Sequence, residues 1–285
     1  MSYIGYHCNI EKKSFYKSIR IQHEKKDKRL KACQVFIKTP RRKILAFDNL
    51  NEKDCNSCKE YLNENDIYLV AHSTYLLNIA NTMEDRYQLE TAIDDLKCID
   101  KLGGRGSVFH VGKHKNRDYD ECIQNMKNFI MKVIEETSEL KSLFILETAA
   151  GCGTEMLTRI EELGCFYHSF SEEYRSRIKI CIDTCHVFSA GYDLTTIDKV
   201  NNFIELVDNH IGWSNVELIH LNDSKTKCNS CVDRHENLGK GFIGTDSLDG
   251  LIHFMSFSKK KGIPIILETP MNEYRKNDMD ILHSA

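Results

Sequence analysis

Eight short apolar runs, each ending abruptly in a polar residue, constrain the fold of this chain more than any other feature. The ends of successive runs lie 31 to 48 residues apart along the 285 residues. The runs show little polar alternation, which is typical of strands buried on both faces of a parallel sheet. The runs are YIGYH, ACQVFIK, IYLVAH, GSVFH, SLFILE, IKICID, VELIH and IPIILE, ending at His7, Lys38, His72, His110, Glu147, Asp183, His220 and Glu268.

The segments between the runs carry the period of amphipathic helices. In residues 119–137 the apolar side chains recur near i, i+4, i+7, i+8 and i+11. Similar helices are predicted at 83–99, 155–164, 198–209 and 246–260. Because a strand, a helix and two loops need about 30 residues or more, the pattern predicts an α/β fold, a single (β/α)8 TIM barrel over residues 1–285. A doubly wound open sheet is the alternative, but it gives no reason for eight nearly equal repeats.

The polar residues at the strand ends form the candidate functional site. In a TIM barrel the carboxyl ends of all strands open onto one face, where active sites lie. His186 follows the sixth run closely, and Asp233 and His235 form an i, i+2 pair whose side chains share one face of an extended segment. The set expected to converge is His72, His110, Glu147, Asp183, His186, His220, Asp233, His235 and Glu268.

This set of imidazoles and carboxylates has the composition of a metal centre. Nine such ligands exceed what one tetrahedral zinc ion uses, and they suit two or three divalent ions that share a bridging carboxylate. Mixed nitrogen and oxygen ligands favour Zn²⁺, with Mn²⁺ or Fe²⁺ as alternatives, over Ca²⁺ and Mg²⁺. Clustered ions can clamp the attacking and leaving oxygens of a phosphoryl group. The residues therefore favour a multi-metal hydrolase, most naturally a phosphodiesterase, with its metal site at the C-terminal face of the strands.

The motifs around these residues resemble those of the endonuclease IV enzymes, the family 2 apurinic/apyrimidinic endonucleases of the xylose isomerase-like TIM barrel superfamily. They stand in the family order and extend over nearly the whole chain. The motifs are YIGYH (3–7), AHSTYL (71–76), FHVGKH (109–114), LETAAGCGTE (146–155), CIDTCHVFSAGYDL (181–194), HLNDSK (220–225), VDRHENLGKGFIG (232–244) and ILETP (266–270).

The resemblance implies three zinc ions, and all nine family ligand positions carry the expected residue types. The implied ligand sets are His72, His110 and Glu147 for the first ion, Glu147, Asp183, His220 and Glu268 for the second, and His186, Asp233 and His235 for the third. Glu147 and Glu268 are the implied catalytic residues, with Glu147 orienting the nucleophile or accepting its proton.

The implied reaction is hydrolysis of the phosphodiester bond 5′ to an abasic site in double-stranded DNA. It leaves a 3′-hydroxyl and a 5′-deoxyribose phosphate, and family members also trim blocked 3′ ends. We therefore expect a DNA repair endonuclease whose partner is double-stranded DNA with abasic sites or blocked 3′ ends.

The resemblance also indicates which residues would contact DNA. Arg41, Arg42 and Lys43 lie in the loop after the second strand, which corresponds to a family loop that enters the DNA. Tyr75 and Leu76 resemble family residues that enter the base stack while the abasic nucleotide is rotated out. For Tyr75 and Leu76, a packing pair at a helix start is the alternative.

The charge distribution is compatible with a DNA substrate although the chain is mildly acidic. The formal net charge is −3, but residues 11–43 hold 13 Lys and Arg against 3 Asp and Glu. Net charge is a sum that hides such patches, so it does not argue against a phosphate substrate. A solvated helix face in residues 24–31 is the alternative explanation for part of this charge.

Two other functions remain as alternatives at this point. A metal-dependent sugar isomerase or epimerase of the same barrel superfamily would share Glu147, Asp183, His220 and Glu268. Such an enzyme would not require His72, His110 or the Asp233 and His235 pair. A non-catalytic DNA-binding protein is the second alternative, and the complete ligand set argues against it.

The composition indicates the cellular compartment in which the protein would act. No apolar run reaches the roughly 18–20 residues of a membrane span, so we expect no membrane partner. Without an export signal, the 12 cysteines are expected to be thiols in a reducing cytoplasm or nucleus, or in a virion if the source is viral. We expect a monomer.

Individual cysteines stand out in two places. Cys152 stands where the family commonly has Gln, and the pairs Cys55/Cys58 and Cys228/Cys231 are expected to be ordinary loop thiols.

Overall fold

A computed structural model of the chain describes residues 2–11, 14–38, 46–82, 84 and 86–284. The strands are β1 (Ile4–His7), β2 (Ala32–Phe36), β3 (Tyr68–His72), β4 (Gly106–His110), β5 (Leu143–Glu147), β6 (Ile178–Asp183), β7 (Val216–His220), β8 (Asp223–Ser224), β9 (His235–Glu236) and β10 (Ile265–Leu267). Eight of them form a closed barrel in the order β1-β10-β7-β6-β5-β4-β3-β2, while β8 and β9 form a separate two-stranded sheet. The predicted (β/α)8 barrel is thereby confirmed.

Helices occupy the segments between the strands. They are α1 (Phe15–Ile21), α2 (Glu52–Asn65), α3 (Arg86–Lys101), α4 (Tyr119–Glu135), α5 (Ile160–His168), α6 (Glu172–Arg175), α7 (Thr184–Ser189), α8 (Ile197–His210), α9 (Asp249–Lys261) and α10 (Arg275–Ser284). Each of the five predicted helices has a counterpart, namely α3, α4, α5, α8 and α9. Within the described part of the chain, no helix is both long and apolar enough to span a bilayer.

By its internal contacts the chain divides into two compact units. The C-terminal unit comprises Met1–Gly5, Glu147–Ser169 and Ile180–Ala285, and the N-terminal unit comprises Tyr6–Leu146 and Phe170–Lys179. The expectation of one domain over residues 1–285 stays a prediction. The two units are described separately below.

In the N-terminal unit, parallel pairing brings the ends of neighbouring strands to the same level. Phe36 on β2 is the register partner of His72 on β3, and His72 is the partner of Val108 on β4. The core beneath is apolar, with Phe109 and Phe144 stacked at a centroid distance of 4.1 Å. The register therefore delivers the polar residues at the strand ends to one edge of the sheet.

The C-terminal unit repeats this arrangement with β6, β7 and β10. Asp183 on β6 is the register partner of His220 on β7. His220 is also the register partner of Ile266, near the end of β10. Beyond β7 the chain forms the small antiparallel sheet, in which Ser224 pairs with His235. This pairing places His235 close to the residues that follow the end of β7.

Several predicted boundaries were wrong, and three of them have a cause or a consequence in the structure. The second strand ends at Phe36 rather than Lys38, because Phe36 is the register partner of His72, the last residue of β3. Beyond it, the Lys38 ammonium binds buried carboxylates. The eighth barrel strand ends at Leu267, one residue before Glu268. The helix expected from residue 155 begins at Ile160, because the Glu155 carboxylate instead accepts the backbone N–H groups of the preceding loop.

Candidate metal centre

The C-terminal unit gathers four side chains at the ends of its strands. Glu147, Asp183 and His220 are the last residues of β5, β6 and β7, and Glu268 follows β10. The ligand atoms of these four residues lie within 4.8 Å of one another. His220 Nδ1 lies 2.6 Å from Glu147 Oε1 and 3.2 Å from Glu268 Oε2. Three carboxylates this close and this buried need a shared proton or a cation to offset their repulsion.

A second group lies beside the first and shares Asp183 with it. The Asp183 carboxylate caps helix α7 by accepting the backbone N–H of His186 at 3.0 Å, which places the imidazole next to the strand end. Asp233 Oδ1 lies 3.4 Å from His186 Nε2 and 3.2 Å from His235 Nε2. The i, i+2 pair thus directs both side chains to the same point, where they meet His186.

Neutral side chains and backbone carbonyls fix these groups in position. Asn222 donates to Asp183 Oδ2 at 2.7 Å, and its own Oδ1 accepts the backbone N–H of Glu268 at 2.8 Å. His186 Nδ1 lies 2.8 Å from the carbonyl oxygen of Thr148. A carbonyl can only accept, so this contact places the proton on Nδ1 and leaves Nε2 of the neutral ring with its lone pair.

The electrostatics of the cluster fit a bound cation. Burial alone would lower the pKa of His235, but the carboxylates of Asp183, Asp233 and Glu268 raise it to about 9. The same balance, with burial opposed by neighbouring carboxylates, raises the pKa of His220 and of His186. The buried Nε2 atom of His235 lies 3.2 Å from Asp233 Oδ1 and 3.5 Å from Asp183 Oδ2, at angles that make neither contact a hydrogen bond. A buried nitrogen surrounded by carboxylate oxygens is suited to a divalent ion, which would replace the protons that the imidazoles otherwise hold.

In the N-terminal unit, His72 and His110 lie side by side at the ends of β3 and β4. Their ring centroids are 5.0 Å apart. His72 Nδ1 lies 2.8 Å from the carbonyl oxygen of Ser73, and the Ser73 hydroxyl donates to buried Asp95 at 2.7 Å. Asp95 also pairs with Lys38 at 2.9 Å. This chain of contacts fixes the His72 ring and leaves its Nε2 as the atom suited to ligation.

Tyr75 and Leu76 protrude from the N-terminal unit immediately after His72. Their exposed fractions are 58% and 41%. The Tyr75 ring lies 5.8 Å from the ring of His72 and 5.7 Å from that of His110. The exposure of both side chains is compatible with the expected DNA contact, and the ring contacts of Tyr75 are compatible with the alternative, a packing pair, so both stay predictions. Arg41, Arg42 and Lys43 lie outside the described residues.

Several polar residues of the site lie in the quoted motifs, but the sequence did not indicate their roles. Asn222 and Thr148 act through the contacts above. Cys152 accepts the backbone N–H of Asp233 on its Sγ at 3.1 Å, so the residue that departs from the family pattern supports a candidate ligand. Asp223 accepts several backbone N–H groups. Each of these partners becomes visible only when segments remote in sequence are brought together.

The cysteines differ in their relation to the site. Cys185 is fully buried, and its Sγ belongs to a group with Asp233 and His235 whose ligand atoms lie within 4.8 Å. Burial raises the pKa of the Cys185 thiol to about 12, so it remains protonated. Of the two C-x-x-C pairs, Cys55 and Cys58 are buried on α2 rather than in a loop, which corrects that expectation.

Comparisons with known proteins agree with the fold and with the motifs. Residues 30–284 match the family model described as a xylose isomerase-like TIM barrel. The chain is 36% identical over 253 residues to a probable endonuclease 4 of Thermosipho melanesiensis, covering 87% of each chain. It is 33% identical over 237 residues to that of Methanosphaera stadtmanae, covering 82% of this chain and 83% of the relative. The chain belongs to the endonuclease IV family. It is therefore an endonuclease, an enzyme that hydrolyses phosphodiester bonds.

This endonuclease IV family member is also similar to a further relative and to two solved structures. It is 33% identical over 244 residues to the apurinic-apyrimidinic endonuclease 1 of Plasmodium falciparum, covering 84% of this chain and 40% of that protein. Endonuclease IV from Thermus thermophilus superimposes with a TM-score of 0.83 at 24% identity, over 99% of this chain and 100% of that chain. A D-tagatose 3-epimerase-like protein reaches a TM-score of 0.70 at 17% identity, over 99% and 98%. At such identities the structures show a shared fold and nothing about the reaction.

Proposed function

We propose that this endonuclease hydrolyses the phosphodiester bond 5′ to abasic sites in double-stranded DNA. The products are a 3′-hydroxyl and a 5′-deoxyribose phosphate, and the same site trims blocked 3′ ends. The observation that carries the proposal is the convergence of Glu147, Asp183, His220 and Glu268 within 4.8 Å, in a chain of this family. Monomeric action in the cytoplasm or nucleus is part of the proposal.

The proposed cofactor is a set of three zinc ions, for which Mn²⁺ or Fe²⁺ can substitute. The proposed ligands are His72, His110 and Glu147 for the first, Glu147, Asp183, His220 and Glu268 for the second, and His186, Asp233 and His235 for the third. Support comes from the donor chemistry and from His235 Nε2, which forms no hydrogen bond with the described residues. When bound, such ions polarise a phosphate and lower the pKa of a water molecule.

The two catalytic carboxylates have separate tasks in this proposal. Glu147 is 1% exposed, and its Oε1 lies 2.6 Å from His220 Nδ1, so its position is fixed before the substrate arrives. It orients the attacking water or accepts its proton. Glu268 would act as a ligand of the second ion. Its side chain is 12% exposed and therefore reaches the open side of the cluster, where the phosphate would bind.

Recognition of DNA is assigned to the N-terminal unit. Tyr75 and Leu76 would enter the base stack beside the abasic nucleotide, and their exposure leaves them available for this contact. Arg41, Arg42 and Lys43 would bind phosphates. Selectivity follows because rotating a nucleotide out of the duplex costs least where its base is already missing.

One cleavage assay tests the proposal. The purified protein, loaded with zinc, is incubated with a duplex that contains one tetrahydrofuran residue, an abasic-site mimic, and with the matched undamaged duplex. We expect incision of the first only, abolished by a strong chelator and restored by added zinc, with a 3′ end that a polymerase can extend. No incision by folded, metal-loaded protein would contradict the proposal. Cleavage unaffected by the chelator would contradict the metal part alone.

A further inference from the structure

Asp223, on the short strand β8, organises a whole loop around its carboxylate. The residue is fully buried. Oδ1 accepts two backbone N–H groups and Oδ2 accepts three. The donors are Ser224 at 2.8 Å and Ile243 at 2.9 Å for Oδ1, and Gly239 at 2.9 Å, Gly241 at 3.1 Å and Gly244 at 3.2 Å for Oδ2. A carboxylate is the side chain suited to this place, because both of its oxygens only accept.

The loop approaches Asp223 so closely that two of its glycine positions have no room for a side chain. A Cβ at Gly241 would lie 2.6 Å from Asp223 Oδ1 and would also collide with the carbonyl oxygen of Ser224. A Cβ at Gly244 would lie 2.9 Å from Asp223 Oδ2. Gly239 has a φ of +76°, in the left-handed region that favours glycine. The glycines of the motif NLGKGFIG are therefore needed for the chain to close around one carboxylate.

The same loop continues directly from a proposed metal ligand. Strand β9 pairs with β8 so that Asp223 faces Glu236 and Ser224 faces His235. On the other side of the loop, Asp278 of α10 accepts the Asn237 amide at 2.6 Å and the Leu238 N–H at 3.0 Å. Two buried carboxylates thus fix the segment on both sides.

We propose that Asp223 is a positioning residue for the metal centre: by fixing the 235–244 segment it holds His235 in place before the third ion binds. The inference rests on the proposed function, in which Asp233 and His235 are ligands of that ion. The ion then binds a preformed site instead of ordering a loop. Without this anchor, the cost of ordering the loop is subtracted from the affinity for the ion.

The variant Asp223→Asn tests the role with little change of volume. In either orientation the amide directs its NH2 group at two or three N–H donors, so the loop loses its anchor. Asp54→Asn is the matched control. Asp54 Oδ2 also accepts a backbone N–H, that of Phe15 at 2.7 Å, but it anchors the start of α1 and no segment that carries a proposed ligand. Bound zinc per chain is measured by mass spectrometry at a series of buffered free zinc concentrations.

We expect Asp223→Asn to bind one ion fewer per chain at limiting free zinc, with the affinity for one of the three ions reduced about 10- to 100-fold, as for other residues that support ligands. Full loading should return at excess zinc. Asp54→Asn should match the unmodified protein. Unchanged stoichiometry and affinity in Asp223→Asn would overturn the proposal.

A second variant keeps the test decisive if Asp223→Asn does not fold. Gly244→Ala leaves the carboxylate in place but inserts a Cβ against Oδ2, and the same loss of one weakly held ion is expected; full loading with unchanged affinity would overturn the inference. Failure of the underlying proposal looks different. Unmodified protein that binds fewer than three ions, or a His235→Ala variant that loses none, would contradict the proposed metal centre itself.

Discussion

Asn222 donates a hydrogen bond from Nδ2 to Asp183 Oδ2 at 2.7 Å and so fixes the orientation of a carboxylate at the end of β6. The Oδ1 atom of the same side chain accepts the backbone N–H of Glu268 at 2.8 Å, beyond the end of β10. One uncharged residue thereby sets the relative position of two proposed ligands. It does so without adding charge to a cluster that already holds four carboxylates.

Replacing Asn222 should weaken metal binding more than it weakens the fold. Asn222→Ala removes both contacts, and we expect the apparent zinc affinity to fall about 10- to 100-fold. Competition with a chromophoric chelator measures it. Asn201→Ala, which removes the exposed contact of Asn201 with His253, is the control and should leave zinc affinity unchanged. Equal affinities of the two variants would show that Asn222 does not position the ligands.

The carboxylate of Glu268 should be indispensable for cleavage although its loss is compatible with folding. Glu268→Gln keeps the size of a side chain that is partly exposed, so we expect the circular dichroism spectrum to be retained. Cleavage of tetrahydrofuran-containing duplex should be abolished. The control is Glu136→Gln, because Glu136 follows α4 and its exposed carboxylate pairs with Lys132 at 3.0 Å, and it should cleave at the normal rate. Near-normal turnover of Glu268→Gln would remove Glu268 from the proposed metal centre.

The barrel and the clustering of most of the candidate ligands could be predicted because both depend on local patterns. A strand buried on both faces is a continuous apolar run, and the residue that ends it is readable at once, as for His72, His110 and Glu147. Helix α2 could not be predicted in this way. Its buried face consists of Cys55, Cys58, Tyr61 and Leu62 in an otherwise polar segment, which gives a weak helical period.

The supporting contacts could not be predicted because their partners lie far apart in sequence. Asn222 finds Asp183 across 39 residues, and Asp223 finds the backbone of Gly244 across 21. A single Asn or Asp in a loop has no periodicity, and its hydrogen bonds depend on where the tertiary fold places the donors. The same holds for Lys38, which has the sequence pattern of a strand end but pairs with carboxylates on α3.

The buried ion pair of Lys38 should matter for stability. Its ammonium lies 2.9 Å from both Asp94 and Asp95, with side chains that are 7% exposed or less. Lys38→Met leaves two buried carboxylates without their cation, and we expect a loss of about 3–5 kcal/mol in the free energy of unfolding. Urea denaturation measures it. Lys132→Met, which removes an exposed pair with Glu136 at 3.0 Å, should cost about 1 kcal/mol or less. Equal losses would show that the Lys38 pair is not desolvated.

Tyr75 should act on DNA binding and leave the fold intact. Tyr75 is 58% exposed, so Tyr75→Ala removes little buried area, although it also removes the ring contacts with His72 and His110. We expect binding of abasic duplex to weaken by about 1–3 kcal/mol, the usual value of a base–aromatic contact. Tyr75→Phe keeps the ring and should retain most of the affinity, as measured by fluorescence anisotropy with catalytically inactive Glu268→Gln as the background. A Tyr75→Phe variant as weak as Tyr75→Ala would assign the effect to the hydroxyl rather than to stacking.

The basic segment after β2 should determine how DNA binding depends on salt. If Arg41 and Arg42 each neutralise one phosphate, the double substitution to Gln reduces the slope of log K against log[salt] by about 2, because each phosphate contact contributes about 0.9. Arg20 and Arg29 provide a matched pair from the same basic region. They already bind Glu24 and Asp27, each at 2.9 Å, and their double substitution should leave the slope almost unchanged. Anisotropy titrations from about 50 to 200 mM salt cover the range in which such contacts are resolved. An unchanged slope after substitution of Arg41 and Arg42 would place the phosphate contacts elsewhere on the chain.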